Sequence, residues 1–463
     1  MSNTNKNEFP KTNASNKYNL IIIGGGASGM MAAAVAAAKY AQNTQEKTNN
    51  KILIIEHNSG LGKKLKITGG GRCNILNAEE DTEKLLTNYG KAKKFLHTTF
   101  AEFGMQETAD YFKKIGIDIK IEDKKRAFPT SEKALDVYRA LESEMLKYKN
   151  DDGSSIVEID LNTRVLEIVS KKIEKNKQLI TGVRILNKNK NEELVTADKY
   201  ILATGGLSHG ETGSTGDGFK FLKDLRLKIV EPTPGLVPLK VDSKWVHALT
   251  GKTLKDLKIT FYVDGIKRKV LVNKDTYAPE KDINMLCTHF GVSGPSIINI
   301  SREVKEWLNE GEVIMQLDLF RDKDEKQMDE FLLEIFDRNK NRKLRNILNA
   351  IYPQSMLESI FKDTANNLHH IDMDKEVHSI TKDERKSMIK NLKNLKLKVE
   401  ALMGYDKAIV ADGGLELSEV NFKDMSLNLI ENLHVTGDIL NISRPSGGYS
   451  LQLCWSTGYA AGK

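Results

Sequence analysis

Cysteine is scarce in this 463-residue chain, which has only Cys73, Cys287 and Cys454, far apart in the sequence. An odd, scattered set of cysteines excludes a disulfide-stapled secreted scaffold, and we expect free thiols in a reducing cytoplasm. The cysteines form no CxxC pair and have no nearby histidine at the spacing of a zinc site. The sequence therefore predicts no bound metal.

Long apolar runs are also missing. No window reaches 18 uninterrupted apolar residues, and the most apolar stretch, residues 20–38, is broken by glycines. That stretch fits a buried strand and helix, and we expect no membrane segment. Residues 1–17 are rich in Asn, Lys, Ser and Thr and have no apolar core of the kind that a secretory signal requires. They predict a disordered tail.

The remaining composition, 40% hydrophobic and 29% charged, is typical of a soluble globular protein. The net charge of +7 permits attraction to nucleic acid or to an anionic surface. Lysine is abundant throughout the chain, however, so the surplus is equally well explained as background composition. The length exceeds what one ordinary core accommodates, and two or three packed units are expected, one inserted within another.

The N-terminal part predicts one βαβ unit. The run YNLIII (residues 18–23) is typical of a strand buried on both faces, MMAAAVAAAKYAQN (30–43) of a helix, and KILIIE (51–56) of a second buried strand. An amphipathic helical region follows near residues 82–115. The runs at 156–170 and 179–187 indicate an antiparallel hairpin region, and 198–206 indicates a further buried strand entering glycines.

Beyond Pro232 the residue pattern changes and predicts alternating strands. In residues 321–400 the apolar residues recur at helical spacing, with few strand formers. The C-terminal segment returns to a strand running into glycine and a closing helix. The predicted organisation is a tail at 1–17, the first part of a dinucleotide-binding domain at 18–206, a β-rich inserted domain at 207–320, a helical insertion at 321–400, and a return through both domains at 401–463.

The chemistry-bearing pattern is Gly24-x-Gly26-x-x-Gly29 between the first strand and helix. Gly24 permits the tight turn, Gly26 lets the backbone approach a pyrophosphate, and Gly29 allows close helix packing. The helix N-terminus offers N–H groups and partial positive charge to phosphates. Glu56, at the end of the next strand, is placed to accept hydrogen bonds from ribose hydroxyls.

A second glycine-rich segment, GLGKKLKITGGGRCN at residues 60–74, follows directly. Its three successive glycines let backbone lie against a flat ring or a phosphate, and they are flanked by basic side chains. The alternative interpretation is a flexible surface loop.

Six ordered motifs resemble the YhiN-like flavoproteins, also called the BaiN/RdsA family of NAD(P)/FAD-dependent oxidoreductases. They are IIIGGGASGMMAA, GKKLKITGGGRCN, ATGGLSHGETGSTGDGF, PTPGLVPL, THFGVSGP and TGDILNISRPSGGYSLQ. The resemblance runs from about Tyr18 to the C-terminus. It implies an α/β fold: a split Rossmann-like FAD-binding domain of the glutathione-reductase type, with a β-barrel-like domain inserted after Gly206 and a small helical domain within that.

The resemblance also implies cofactor-binding positions. They are Gly24, Gly26, Ala27, Ser28, Gly29 and Glu56 for the ADP half; Lys64, Thr68, Gly69, Gly70, Arg72 and Asn74 near the flavin; Val165 at the adenine; Ala203, Thr204 and Gly205 at a second strand end; Gly437 and Asp438 at the ribityl and phosphate region; and Gly447, Gly448 and Tyr449 at the ring. FAD is favoured over NAD because an extended flavin dinucleotide needs contacts from a distant C-terminal strand. With one complete fingerprint, NADH or NADPH would bind transiently elsewhere.

The implied reaction is reduction of a carbon–carbon double bond conjugated to a carbonyl, by hydride from a flavin and a proton from a side chain or water. Family members are associated with uridine-to-dihydrouridine conversion in large-subunit (23S) ribosomal RNA, and others with reduction of bile-acid-like enones. Ribosomal RNA is the leading substrate hypothesis here, a small conjugated carbonyl compound the alternative, and a non-catalytic flavin-binding protein the third.

Cys73 is the candidate proton donor, because a thiol is largely protonated at neutral pH. The alternative is a small buried hydrophobic residue, which is the expectation for Cys287 and Cys454. His289 could orient a substrate carbonyl, although a structural role capping a helix that starts near residues 293–295 is slightly favoured. Arg126 either reaches the substrate side or lies in a solvated basic turn.

Overall fold

The computed structural model describes residues 17–42, 50–174, 177–272, 283–362 and 372–463. The chain divides into two compact units, the first formed by the chain up to Pro234 with Val410–Lys463, and the second by Gly235–Ile409. Each unit has its own hydrophobic core. The predicted tail lies outside the described residues except for Lys17, which begins the first strand.

The strands are numbered in chain order. They are β1 Lys17–Ile23, β2 Ile52–Glu56, β3 Leu76–Asn77, β4 Ile119–Glu122, β5 Arg126–Pro129, β6 Val157–Leu161, β7 Arg164–Lys172, β8 Gln178–Leu186, β9 Glu192–Leu202, β10 Ile229–Gly235, β11 Leu239–Lys240, β12 Thr253–Leu254, β13 Lys258–Val263, β14 Ile266–Leu271, β15 Met285–Thr288, β16 Gly291–Ser293, β17 Val313–Asp318, β18 Leu395–Val399, β19 Ala401–Leu402, β20 Val410–Leu415, β21 Ser426–Leu427 and β22 Ile430–Val435.

The α-helices are numbered in the same way. They are α1 Ala27–Gln42, α2 Lys63–Ile67, α3 Thr82–Thr87, α4 Lys93–Glu102, α5 Met105–Lys114, α6 Ala134–Leu146, α7 Asp217–Asp224, α8 Lys244–Ala248, α9 Pro295–Glu310, α10 Glu325–Arg338, α11 Leu348–Ile351, α12 Gln354–Lys362, α13 Lys382–Lys393 and α14 Tyr449–Gly462.

The main sheet of the first unit has the strand order β21-β22-β8-β9-β1-β2-β6, and β7 pairs with β8 off this path. Strands β22, β9, β1, β2 and β6 run parallel. The apolar side chains of β1 and β2 are buried, as in other parallel sheets that are covered on both faces. The predicted βαβ unit is therefore confirmed, and the first unit is a Rossmann-type α/β fold.

Helices α1 and α14 pack together through small residues. A Cβ added at Gly458 would lie 2.5 Å from the Ser28 carbonyl oxygen, and one at Gly462 would lie 2.5 Å from that of Ala32. This spacing brings the last helix of the chain against the first. The C-terminal segment thus completes the first unit, as the sequence predicts.

The predicted hairpin region is correct only in part. Strands β7 and β8 form an antiparallel pair. Strand β6, which the sequence joins to that hairpin, instead pairs in parallel with β2 at the edge of the main sheet. Both arrangements satisfy the backbone hydrogen bonds of an apolar strand, so local pattern does not distinguish them.

The second unit contains two antiparallel sheets, with orders β14-β13-β17-β18 and β12-β15-β16-β11-β19, and helices α8 to α13. The strands predicted beyond Pro232 include β13 and β14, which form a hairpin. The described pairings leave two separate sheets and do not close one into a barrel, so the barrel-like description stays a prediction. The predicted helical insertion contains α10 to α13 but ends in β18, which pairs with β17.

The first boundary between the units lies at Pro234, later than the predicted residue 206. The second, at Ile409, lies within the segment 401–463 that was predicted to return through both domains. Residues after Gly206 stay with the first unit because α7 buries Phe219, Phe221 and Leu222 in its core. Glycines and a polar loop at 206–216 suggest a domain boundary in sequence, but the apolar face of α7 decides the packing.

The α1–α14 contact predicts the effect of a branched side chain at Gly458. We expect Gly458→Val to lower the free energy of unfolding of the first unit by about 2 kcal/mol or more, because backbone must shift to admit it. The measurement is urea unfolding in a Trp245→Phe/Trp307→Phe background, where Trp455 is the remaining tryptophan.

The matched control is Gly60→Ala, since an added Cβ there meets no described atom within 4 Å. An unfolding midpoint for Gly458→Val equal to that of the control would contradict the proposed tight packing.

Candidate cofactor-binding site

The carboxyl ends of four parallel strands meet at one edge of the main sheet. Backbone hydrogen bonds continue the ladder past the strand ends, from Gly24 N to Ile55 O at 2.9 Å, from Ala203 N to Ile23 O at 2.8 Å, and from Thr436 N to Leu202 O at 3.1 Å. The sequence-predicted segments at residues 24–29, 203–205 and 437–438 therefore lie side by side. In parallel α/β sheets this edge is the usual ligand-binding position.

The three glycines of the first glycine-rich turn, Gly24, Gly26 and Gly29, have three different surroundings. A Cβ at Gly24, whose φ is +103°, would lie 2.6 Å from the Ala203 carbonyl oxygen, and one at Gly29 would lie 2.1 Å from the Gly24 carbonyl oxygen. A Cβ at Gly26 would meet no described atom within 4 Å. Gly24 and Gly29 are thus needed for packing, whereas Gly26 faces open space beside the first turn of α1, which contains Ala27 and Ser28.

The Glu56 carboxylate is buried and held in a fixed orientation. Its Oε2 accepts from Gly25 N at 2.9 Å, and its Oε1 accepts from the Asn58 backbone N and Nδ2, both at 2.8 Å. A carboxylate has about four acceptor positions, so at least one stays available at Oε2. The carboxylate is therefore orientated by the chain and still able to accept from a ligand.

Val165 lies at the start of β7, next to the end of β2. It is buried in β7, where it pairs with Ile185. Two residues earlier, Thr163 N donates to the Glu56 carbonyl oxygen at 3.1 Å. The start of β7 is thereby held beside the end of β2.

Lys64, on α2, is engaged by the chain itself. Its Nζ donates to Ser208 O at 2.7 Å, to Ser208 Oγ at 3.1 Å and to Ser214 Oγ at 2.7 Å. Burial lowers the pKa of the Lys64 ammonium, an effect that nearby Asp438 partly opposes. Three donors with three oxygen partners make Lys64 an anchor for the 208–214 loop as well as a positive charge at this edge.

The loop at residues 68–74 has an unusual backbone. Gly69, Gly70 and Gly71 all have positive φ, at 57°, 68° and 87°, and so does Cys73 at 62°. An added Cβ at Gly69 would lie 3.0 Å from Asn74 N, whereas Gly70 and Gly71 meet no described atom within 4 Å. The hydroxyl of Thr68 donates to Leu65 O at 2.7 Å. Two of the glycines thus present open backbone.

The side chain of Arg72 points to the small sheet β3-β5-β4. Its guanidinium pairs with Glu122 and with Glu132 and lies 4.1 Å from the centre of the Phe128 ring. Two carboxylates therefore already hold Arg72. Its predicted role beside the flavin stays a prediction. Both ion pairs are made by Nη2, and Nε is buried without a hydrogen-bond partner in the described part of the chain.

The C-terminal segment also lines the candidate site. A Cβ at Gly437, whose φ is +76°, would lie 2.7 Å from Ser28 Oγ, so this turn touches the start of α1. The Asp438 carboxylate pairs with the guanidinium of Arg444, which is 1% exposed. Arg444 also donates to Ile442 O at 2.8 Å and to Ser450 Oγ at 2.9 Å.

The residues that open α14 pack against the end of the glycine-rich loop. Gly447 O accepts from Asn77 Nδ2 at 3.0 Å, and a Cβ at Gly448, whose φ is +99°, would lie 2.3 Å from the Leu76 carbonyl carbon. The Tyr449 carbonyl accepts from Tyr89 Oη at 2.8 Å. The predicted segments 68–74 and 447–449 are thus brought together through β3.

Three side-chain oxygens at this edge are buried without a hydrogen-bond partner in the described part of the chain. They belong to Asn74, Thr204 and Thr436. An unpaired buried oxygen is costly, and a bound ligand or water would relieve it. With the open space at Gly26, these atoms fit a polar group bound along the edge.

Cys73 does not have the expected surroundings of a proton donor. It is fully buried, and burial raises the pKa of its thiol to about 12. Both facts favour the alternative of a buried apolar residue, and the catalytic assignment stays an unsupported prediction. Cys287 is in the core of the second unit as expected, whereas Cys454 is half-buried rather than fully in the core.

His289 and Arg126 have surface positions. His289 is exposed in the β15–β16 turn, with its ring 4.8 Å from that of Phe290. It does not cap α9, because the N-cap is Gly294, so the favoured structural interpretation was wrong. Arg126 lies on β5, with Nε donating to Asp123 O at 3.0 Å, in agreement with a basic turn.

Sequence reasoning missed the side chains that fix the charged groups. They are Asn58 at Glu56, Ser208 and Ser214 at Lys64, and Arg444 at Asp438. The last three lie within the quoted motifs, so a search for partners of the charged residues among conspicuous polar motif positions could have found them. Asn58 has no such signal beyond its position two residues after Glu56.

The described residues contain no group of His, Cys, Asp or Glu that could hold a metal ion. Among the helices in the described ranges, none is long and apolar enough to cross a membrane.

The profile of the HI0933-like protein Rossmann domain family matches residues 18–463. The chain belongs to this family. The match spans both units, so the HI0933-like assignment covers the second unit and the C-terminal return as well as the glycine turn.

Two curated relatives of this HI0933-like chain are similar over nearly their whole lengths. A 3-dehydro-bile acid delta(4,6)-reductase from Clostridium scindens is 28% identical, over 89% of this chain and 92% of that protein. A ribosomal RNA dihydrouridine synthase from Escherichia coli is 24% identical, over 89% and 90% respectively. Among solved structures, 3-ketosteroid delta1-dehydrogenase from Sterolibacterium denitrificans is 14% identical, over 97% of this chain and 99% of that chain, with a TM-score of 0.49.

The contrast between Gly26 and Gly29 yields a matched pair of variants. We expect Gly26→Ala to keep the free energy of unfolding within about 1 kcal/mol and to weaken FAD binding about tenfold or more, because its methyl group enters the open space. We expect Gly29→Ala to lower the free energy of unfolding by about 1–3 kcal/mol, because it meets backbone. Flavin-fluorescence titration and urea unfolding measure the two effects. Equal FAD affinity in Gly26→Ala and the wild type would contradict a ligand at this turn.

The burial of Cys73 predicts that its thiol is unreactive in the folded chain. At pH 8 it stays protonated, because its raised pKa lies far above that pH, and it is shielded from reagents. We expect slow labelling of Cys73 by iodoacetamide in the native state and rapid labelling in urea, followed by peptide mass spectrometry. Rapid native labelling at Cys73, compared with Cys287 as the buried control, would show that the thiol is accessible.

Proposed function

We propose that this chain, an oxidoreductase of the HI0933-like family, holds one FAD along the carboxyl edge of its main sheet and reduces a carbon–carbon double bond conjugated to a carbonyl. The observation that carries the proposal is the open space at Gly26 beside a buried, orientated Glu56 carboxylate. A dinucleotide needs both features, one for its pyrophosphate and one for its ribose.

The ADP half of the cofactor would lie against the glycine turn. The N–H groups at the start of α1 have no carbonyl acceptor one turn earlier within the helix, and they favour phosphate oxygens. Glu56 would accept from the ribose hydroxyls. Its negative charge would oppose a 2′-phosphate, which favours an FAD-type adenosine over an NADP-type one in this position.

The remaining cofactor contacts would come from the C-terminal turn and the glycine-rich loop. Arg444 holds the Asp438 carboxylate in place, so that Asp438 would meet the ribityl or phosphate region in a fixed position. Gly70 and Gly71 offer backbone without side chains, and Asn74 offers an unpaired oxygen. The remaining positions that the family resemblance implies are proposed as contacts in the same sense.

When bound, FAD supplies hydride transfer, which no amino-acid side chain can perform. The chain's own residues bind and orient the reactants. Lys64, with a pKa lowered by burial, places a positive charge at the same edge as Asp438 and Arg444. NADH or NADPH is proposed as the reductant that binds transiently.

We propose uridine in large-subunit (23S) ribosomal RNA as the substrate, with the product dihydrouridine, and a cytoplasmic location to match. The Escherichia coli relative is named for this reaction. The net charge of +7 supports attraction to a polyanion. Uracil contains the required double bond conjugated to a carbonyl.

A small enone is the second candidate substrate, and the 28% identical bile-acid reductase favours it. A flavin-binding protein without turnover is the third. Anaerobic mixing with NADH or NADPH separates the third from the others, because a non-catalytic protein would keep its flavin oxidised. Reoxidation by protein-free ribosomal RNA or by a steroid enone then separates the first two.

Deletion of the gene tests the ribosomal RNA substrate directly. We expect dihydrouridine in 23S ribosomal RNA, measured by nucleoside mass spectrometry, to be lost on deletion and restored by the wild-type gene. Complementation with Gly26→Ala should restore less, since it lowers cofactor occupancy. An unchanged dihydrouridine content after deletion would exclude this substrate and leave the enone.

A further inference from the structure

One face of a sheet in the second unit is basic. In the four-stranded sheet β14-β13-β17-β18, Phe261, Met315 and Leu397 lie in one cross-strand row and are buried in the core. The neighbouring row contains Tyr262, Ile314 and Lys398 and faces the other way. A period of two along each strand therefore separates an apolar face from a polar one.

The polar face collects lysines from three strands. A register shift in the β13–β14 pair sets Lys267 beside Tyr262, while Lys269 lies beside the buried Phe261 and pairs with Glu303 of α9. Lys396 and Lys398 are exposed on β18. We call this surface the basic sheet face; it is formed by Lys258, Tyr262, Lys267, Lys396 and Lys398.

The carboxylates around this face neutralise only part of its charge. Lys398 pairs with Glu312, and Asp318 is held by Lys393 through two hydrogen bonds of 3.0 and 2.9 Å. Lys258, Lys267 and Lys396 form no ion pair within the ranges that the structure describes. Three uncompensated ammonium groups thus lie on a surface about 14 Å wide, three strand spacings across.

We propose that the basic sheet face binds the phosphate backbone of RNA. This inference rests on the proposed function, since it supplies a docking surface for a ribosomal RNA substrate. Lysines neutralise phosphates with release of counterions, and an aromatic side chain on a sheet offers a stacking surface for a base. Tyr262, half-buried between Lys267 and the β17–β18 side, fits that second role.

The chemistry of the face favours RNA over an anionic membrane. Membrane-surface binding requires large apolar side chains that enter the bilayer boundary together with the basic ones. Tyr262 on this face is half-buried, as is Ile314 beside it in the same cross-strand row, and the other members of the face are lysines. Charge without an exposed apolar anchor is typical of phosphate-backbone recognition.

The test uses the full-length chain with FAD and compares two triple variants of equal charge. Lys258→Gln/Lys267→Gln/Lys396→Gln removes the uncompensated lysines of the face. Lys244→Gln/Lys305→Gln/Lys386→Gln removes exposed lysines from helices α8, α9 and α13 of the same unit. Circular dichroism and the thermal midpoint check that both variants fold.

Binding to a protein-free fragment of 23S ribosomal RNA is measured by fluorescence anisotropy over a salt series. For the face variant we expect Kd to rise about tenfold or more, and the slope of log Kd against log salt to fall by about 2, from three lost phosphate contacts. The control variant should change both quantities much less. Equal losses in the two variants would show only a general charge effect and would overturn the assignment of the face.

Parallel assays distinguish this inference from the proposed function. If the wild type forms dihydrouridine and the face variant keeps wild-type RNA affinity, the face assignment is wrong and the substrate stands. If RNA binding depends on the face but no dihydrouridine forms, the face assignment stands and the substrate is wrong. If the wild type does not bind the RNA, both fail. If the face variant loses binding to phosphatidylserine vesicles but keeps wild-type binding to RNA, the face binds a membrane instead.

Discussion

The close contact between the start of helix α1 and three other backbone segments is the constraint on which the first unit depends. Gly29 packs on the Gly24 carbonyl, Gly437 packs on Ser28 Oγ, and Gly458 packs on the Ser28 carbonyl. Each contact leaves no room for a side chain. The N-terminal turn, the end of β22 and the last helix must therefore assemble together, although they are the two ends of the chain.

This assembly also sets the electrostatics of the candidate site. The sheet edge combines the positive end of α1, the Glu56 carboxylate, the Lys64 ammonium and the Asp438–Arg444 pair. Each charged side chain has a protein partner that fixes its orientation. Such groups are pre-organised for a ligand and need little rearrangement on binding.

The sequence predicted the parts of the site that depend on neighbouring residues. Strand β1, the glycine turn, α1 and β2 follow from a local pattern, and the different roles of Gly24, Gly26 and Gly29 agree with their surroundings. Six motifs, the glycine turn among them, carried the family resemblance, and the family assignment is confirmed. The second candidate surface, the basic sheet face, had no signal in sequence beyond the overall charge, because it combines the β13–β14 hairpin with β18, which lies far from that hairpin in the chain.

Contacts between distant residues were not predictable in this way. The pairing of β6 with β2, the burial of Cys73 and the capture of Arg72 by two glutamates depend on tertiary packing. The position of α7 in the first unit likewise follows from its apolar face rather than from the glycines before it. For β6, Cys73 and α7 a local pattern allowed two arrangements, and burial of apolar surface selected one.

The central claim is that the carboxyl edge of the main sheet binds FAD. The most direct measurement is the visible absorption spectrum of the purified chain, before and after incubation with FAD and removal of the excess by gel filtration. We expect the flavin spectrum with one FAD per chain. A protein that stays colourless after this treatment would contradict it.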